Sequence, residues 1–307
     1  MKKRICIAQI AFRQNIASHI NHIKEIISAN RLADLIVFPE LILHGHPSVE
    51  RPEGLLYRRV VQYYRTMAAD SSDLYSFIRA VDARVILGEL KGKPGHFYNV
   101  ATYIDRHQTS IYEKTHIHRT ENFLPGKALR VFDTPLGKLG PLICFDGAFS
   151  EAWRVLALKG ARIVVNISAT PQSFPLSYIR RRLQGAALEN QLFIIYVNRP
   201  GGYFSGHSGV IDPHGEIIVE LDEAEDVFTC EIDLAGLDQW RAEEEIFPKR
   251  RPLLYRDILR SHSHCQLPQQ ENSSRRQRAA DGSGLFISPQ SAGAQVMPFH
   301  EAGREEF

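Results

Sequence analysis

The feature that most constrains this chain is an apolar run that stops abruptly at a cysteine. Pro141, Leu142 and Ile143 lead into Cys144, Asp146 and Gly147 break the run just after it, and a helical stretch begins near Phe149. The pattern predicts a strand that ends sharply and turns into a helix. Such an elbow exposes a side chain at the end of a sheet and aims backbone N–H groups at whatever binds there. A lone cysteine in an apolar run is most often a packing residue. Two further segments of the same build change that reading.

Leu35, Ile36, Val37 and Phe38 form a short apolar run that stops at Pro39 and delivers the carboxylate of Glu40. Thr109 to Glu113 alternates like a strand and delivers the amine of Lys114, with Glu121 and the turn Pro125-Gly126 following. A glutamate or lysine at a strand end is usually a solvated rim residue. In the order Glu, Lys, Glu, Cys, however, these residues make a reactive set. An amide resists water because its carbonyl is resonance-stabilised and its nitrogen leaves poorly. Its hydrolysis needs a nucleophile, a base to ionise it, an acid for the leaving nitrogen and a cation for the oxyanion. Cys144 suits the first role, Glu40 the second and third, and Lys114 the fourth, assisted by the N–H of Phe145. This chemistry requires no metal and no organic cofactor.

The chain resembles the nitrilase superfamily of carbon-nitrogen hydrolases. The resemblance rests on Val37-Phe-Pro-Glu40-Leu, on Tyr112-Glu-Lys114-Thr-His116, on Glu121 five residues before Gly126, and on the run from Ile143 to Arg154. It continues through Gly160-Ala161, Asn166, Glu189-Asn190-Gln191, Asn198-Arg199, Gly206-His207-Ser208, Asp212-Pro213 with Gly215, and Arg251-Pro252 with Tyr255. It implies a four-layer αββα sandwich, catalytic Glu40, Lys114 and Cys144, and a second glutamate, Glu121, that positions Lys114 or the substrate. It also implies a small-molecule amide substrate and a homo-oligomer, dimeric or larger. Residues near the nucleophile, Phe145, Ala148 and Phe149, are expected to bind substrate. Asn166 and Ser168 read equally as pocket lining or as a capped turn.

Three positions bear on the substrate. True nitrilases of the superfamily typically carry Trp-Glu after the cysteine, where this chain has Phe145-Asp146, so an amide is expected over a nitrile. Members that act on ω-amides of dicarboxylic acids or on N-carbamoyl acids often place an arginine where this chain has Ala148. An apolar Ala148 cannot pair a carboxylate, so the expected substrate is neutral. Many members also carry arginine at the position of Ala186, a departure read as altered packing. The alternatives are an N-carbamoyl amide hydrolase or nitrilase of the same family and, from another class, a catalytically silent binding or scaffold protein. The silent class is expected to lack one of Glu40, Lys114 or Cys144, and none is missing.

The rest of the chain predicts an α/β domain over residues 1–260. Arg4 to Ile10 is a buried first strand, and Ile16, Ile20, Ile23 and Ile27 recur at helical spacing. Strand-like runs return at 84–90, 98–104, 139–144, 162–167, 193–198, 208–212, 216–220 and 227–232, with helical stretches at 54–80, 149–159 and 176–190. From 261 to 307 the composition turns to Ser, Gln, Arg, Gly and Pro, which predicts a disordered tail or an arm over a neighbouring subunit. A net charge of +2 gives no reason to expect nucleic acid or an anionic membrane as partner. The apolar stretch after the basic start is interrupted by Gln9 and ended by Arg13, too short for a signal or a span, so a cytoplasmic protein is expected. Cys6, Cys144, Cys230 and Cys265 have no paired or metal-type spacing.

Two other constellations lose to this reading. His116 and His118 suggest the strand-end His-x-His of a metal-dependent barrel, but there that motif belongs on the first strand, and here a long α/β pattern precedes it. Arg180, Arg181 and Arg182 form a basic run on a helix whose Leu176, Ile179, Leu183 and Ala187 face inward, which predicts a solvated face or a subunit contact.

Overall fold

Strand β1 (Lys2–Gln9) sends alternate residues to opposite sides, and both sides are buried: Ile5 and Ile7 one way, Cys6 and Ala8 the other. Strands β2 (Leu35–Val37) and β3 (Val85–Lys93) do the same, with Val37 and Ile86 on the first side, Ile36 and Leu87 on the second. A strand covered on both faces needs apolar residues at nearly every position, which is why these segments read as continuous runs. In the computed structural model, which describes residues 2–46, 71–93 and 96–260, they form the parallel centre of a six-stranded sheet. The antiparallel strands β4 (His96–Ile104), β5 (Thr109–Glu113) and β12 (Asp226–Asp233) complete it in the order β12-β1-β2-β3-β4-β5.

The second sheet repeats the plan. Strands β7 (Gly137–Ile143), β8 (Ile163–Ser168) and β9 (Phe193–Asn198) run parallel at its centre. Strands β6 (Phe132–Thr134), β10 (Gly209–Ile211) and β11 (Ile217–Glu220) flank them in the order β11-β10-β9-β8-β7-β6. The central core lies between the sheets: Ile5, Val37, Ile86 and Tyr112 of the first meet Ile143, Val165, Ile195 and Val197 of the second. Helices α1 (Ile16–Ala29) and α2 (described over residues 71–80) cover the outer face of the first sheet through Ile20, Ile23, Ile27, Leu74 and Ile78. Helices α3 (Ser150–Leu158) and α4 (Leu176–Asn190) cover the second through Trp153, Leu156, Ile179 and Leu183. The result is the four-layer αββα sandwich.

Helix α4 matches the range that spacing predicts, and its arginines face outward. Helix α5 (Leu234–Glu244) was not predicted: it turns inward only Leu234, Leu237 and, partly, Trp240, too few to make a period. Asp233 caps it by accepting the Ala235 N–H at 3.1 Å. Residues Met1–Arg250 form one compact unit and the chain from Arg251 a second, of which the described part carries a short 3-10 stretch, Pro252–Leu259. The predicted tail, with Cys265, and most of the helix expected at 54–80 lie outside the described residues. Among the described residues no helix is long and apolar enough to cross a membrane.

Two buried histidines make this fold acid-sensitive. His44 accepts the Leu90 N–H at Nδ1 (3.1 Å), and burial, aided by the Lys91 charge, pushes its pKa down to about 3. His19 contacts the Ile42 carbonyl (2.8 Å), and burial pushes its pKa down to about 4. Both values lie below the ordinary 6.5 of an unfolded histidine, so below that pH the unfolded chain binds more protons than the folded one. The stability contributed is full above about pH 6.5 and is lost as pH falls toward about 4 for His19 and about 3 for His44. The urea midpoint should drop steadily over that interval, and a flat midpoint would mean that neither ring is buried neutral.

Candidate active site

Glu40 follows Pro39 at the end of β2, in a turn where Leu41 takes a left-handed backbone (φ 52°). Strand β3 passes so close behind this turn that a Cβ at Gly88 would fall 2.3 Å from the Leu41 nitrogen and 2.6 Å from the Glu40 Cα. Only glycine fits there. The Glu40 carboxylate is buried, and its Oε1 accepts from Lys114 Nζ at 3.0 Å and Asn99 Nδ2 at 2.6 Å. Lys114 leaves β5 with its N–H donated to the Asn99 carbonyl (2.9 Å), so Asn99 on β4 holds both partners.

Lys114 Nζ also donates to Glu121 Oε1 at 2.7 Å, and Glu121 Oε2 accepts the His118 N–H at 2.9 Å. One buried ammonium thus lies between two nearly buried carboxylates. Burial alone would lower the lysine pKa, but Glu40, then Cys144 and Glu121, outweigh it and hold the ammonium above its usual range. Burial and the Glu40 charge push the Glu121 carboxyl up, against the pull of Lys114.

Cys144 opens a 3-10 turn, Cys144–Ala148, at the end of β7 with a left-handed backbone (φ 45°). A non-glycine residue held there is strained, and the surroundings must fix it. Asp146 does so. Its buried carboxylate accepts the Ile143 N–H (3.1 Å) on the elbow, and the Tyr112 hydroxyl (2.8 Å), Thr115 hydroxyl (2.9 Å) and His116 N–H (2.8 Å) beside Lys114. One side chain therefore ties the cysteine turn on the second sheet to the lysine turn on the first. Burial, then Glu40 and Glu121, push the Cys144 thiol up to about 12, opposed by Lys114 and the Ala169 N–H. The resting sulfur is a thiol, so attack requires a base.

Glu40, Lys114, Glu121 and Cys144 open together onto a cavity of about 500 Å3. Phe145, Ala148, Asn166 and Ser168 line it; Asn166 and Ser168 are buried at the end of β8. Phe149 is not among the lining residues: its ring stacks on His116 at 3.9 Å and meets Phe145 edge-on. Thr170 and Pro171, in the segment after Asn166 that reads from sequence as pocket lining or a capped turn, also line the cavity, whereas sequence reasoning missed Phe174, Tyr196, Tyr203 and Phe204 on the wall, along with Asn99 and Asp146 behind it. Asn99 left one signal, a polar residue inside an apolar strand. Asp146 left only the signature of a turn.

A double-sheet α/β sandwich with this buried group at its strand ends defines a class of hydrolase fold. The carbon-nitrogen hydrolase model matches residues 5–242, and the chain belongs to that family, within the nitrilase superfamily. It is 29% identical over 285 residues to a probable nitrilase of Schizosaccharomyces pombe, covering 84% of this chain and 99% of that one. It is 29% identical over 229 residues to an (R)-stereoselective amidase of a Pseudomonas species, covering 72% and 81%. A carbon-nitrogen hydrolase of Helicobacter pylori superposes with a TM-score of 0.76 at 22% identity, over 85% of this chain and all of that one.

Proposed function

We propose that this hydrolase cleaves the carbon–nitrogen bond of a neutral amide, giving a carboxylic acid and ammonia through a thioester on Cys144. The observation that carries the reading is the Lys114 ammonium shared between Glu40 and Glu121 at the mouth of the Cys144 elbow. Glu40 takes the thiol proton as sulfur attacks the amide carbon. Lys114 and the Phe145 N–H stabilise the oxyanion. The tetrahedral adduct collapses, Glu40 returns the proton to nitrogen, and ammonia leaves. Water deprotonated by Glu40 then cleaves the thioester, releasing the acid and the thiol.

The cavity walls favour a neutral acyl group. Ala148, Phe174, Tyr196, Tyr203 and Phe204 contribute apolar surface, while Lys114 is engaged by its two carboxylates. Arg199 is buried between Phe12 and Phe204, at 5.8 and 5.1 Å, and is not a lining residue; Arg182 is a lining residue, solvent-exposed, with its guanidinium over the Phe174 ring at 5.4 Å. A carboxylate left unpaired at this depth costs several kcal/mol. The Pseudomonas relative's name, an amidase, also supports an amide.

An ammonia-release screen of the purified full-length protein over amides, N-carbamoyl amino compounds and nitriles tests the reading. A neutral amide should show kcat/KM at least roughly tenfold above the ω-amide acid of equal length, a gap of about 1.4 kcal/mol. The reverse ranking would reassign the substrate to an anionic amide. Turnover of none, with Cys144 inert to alkylation, would favour a silent binding protein.

A further inference from the structure

We propose that Thr170, set by Tyr196, donates a hydrogen bond to the Cys144 sulfur and stabilises it as the thiolate that attacks. The proposal rests on the reading of Cys144 as the nucleophile and adds a donor to it. Thr170 Oγ1 lies 3.9 Å from Cys144 Sγ, within reach of a hydrogen bond to sulfur. The Tyr196 hydroxyl donates to the same Oγ1 at 3.0 Å. A hydroxyl has one proton and two lone pairs. With one lone pair of Thr170 filled by Tyr196, its own proton is free, and the sulfur is an acceptor within its reach. Tyr196 is itself buried, and burial raises its phenol pKa, so it remains protonated and keeps donating.

The hydroxyl is also held in place. The Thr170 N–H donates to Asn198 Oδ1 at 2.8 Å, and the Thr170 carbonyl accepts the Ser205 N–H at 3.0 Å. Asn198 is in turn fixed through its Nδ2, which donates to Ser205 Oγ (2.9 Å) and the Gly206 carbonyl (2.8 Å). The loops after β8 and β9 therefore pin the residue from both sides, and the donor needs no reorganisation at the moment of reaction.

The charges around the sulfur explain the need for such a donor. Glu40 and Glu121 oppose the thiolate, and Lys114 favours it. Two carboxylates against one ammonium leave a deficit that neutral donors, the Ala169 N–H and the Thr170 hydroxyl, reduce without adding charge. The opposite polarity, S–H donating to Thr170, would stabilise the thiol instead. The two cases differ in sign.

The test uses the full-length protein with Thr170→Val, Thr170→Ser and Tyr196→Phe. The rate of Cys144 alkylation by iodoacetamide is followed against pH at the Cys144 peptide, with Cys6 and Cys230 as internal references, alongside kcat and KM for an amide. Thr170→Val should shift the Cys144 profile to higher pH and slow labelling near neutrality by roughly tenfold, the lower end of what a hydrogen bond to a charged group is worth. In Thr170→Val kcat should also fall with KM little changed, whereas Thr170→Ser, which keeps the hydroxyl, should follow wild type in both measurements. Tyr196→Phe should shift the profile in the same direction by less, and the double variant should match Thr170→Val. A Thr170→Val or Tyr196→Phe profile that overlays wild type, or labels faster, overturns the proposal while leaving the amidase reading intact. Failure of wild-type Cys144 to label while Cys230 labels overturns both.

Discussion

Cys144→Ala is expected to lower ammonia release by on the order of 10³-fold or more, because removing the nucleophile of a concerted set removes nearly all the chemistry. The fold should survive. Cys144 sits at the cavity edge, half-buried, and the strained turn that presents it is held by Asp146 through backbone and hydroxyl donors that do not involve the sulfur. The variant should therefore unfold at a wild-type urea midpoint while turnover disappears. Glu40→Gln should lose a comparable factor, since the thiol is pushed up to about 12 and cannot ionise near neutrality without a base. Near-normal ammonia release from Cys144→Ala would refute the thioester mechanism.

Lys114→Ala should cost both activity and stability. Without the ammonium, two nearly buried carboxylates that each lay within 3.0 Å of it face one another across an empty site. Breaking a buried pair by removing one partner costs roughly 3–5 kcal/mol, so a clear drop in the urea midpoint is expected together with loss of turnover on the order of 10³-fold. The effect should depend on pH. Once Glu121, whose carboxyl is already pushed up, takes a proton, the repulsion ends, so the deficit should shrink as the solution is acidified. Adding Glu121→Gln should recover much of the stability and none of the activity, whereas Glu121→Gln alone should be severely impaired. A stable Lys114→Ala protein, or wild-type turnover in Glu121→Gln, would mean that the Glu–Lys–Glu group is not the reacting unit.

Much of the architecture was legible because the centre of each sheet is buried on both faces. Ile5 to Ala8, Leu35 to Phe38, Ile163 to Ile167 and Phe193 to Val197 had to be apolar at nearly every position, and each run ends where a turn or a functional residue breaks it. Glu40 and Cys144 stood out for the same reason, each being the first reactive side chain after an apolar run, whereas Lys114 stood out as the amine that follows the alternating strand Thr109–Glu113. Helix α5 was not legible, because three inward residues leave no period to detect.

The sequence by itself thus determined the central strands, the covering helices α1, α3 and α4, and which strand ends carry a carboxylate, an amine and a thiol, since these depend on local pattern alone; the short edge strand β6 left no such pattern. Only the tertiary structure decided that Glu40 and Lys114 on one sheet meet Cys144 on the other, because face-to-face stacking brings the ends of β2, β5 and β7 to one cavity. Asn99, Asp146 and the Thr170–Tyr196 pair were decided there too. Their roles come from hydrogen bonds between residues distant in the chain, and an Asn in a strand, an Asp in a turn or a Tyr in an apolar run carries no local mark of the partner it will find.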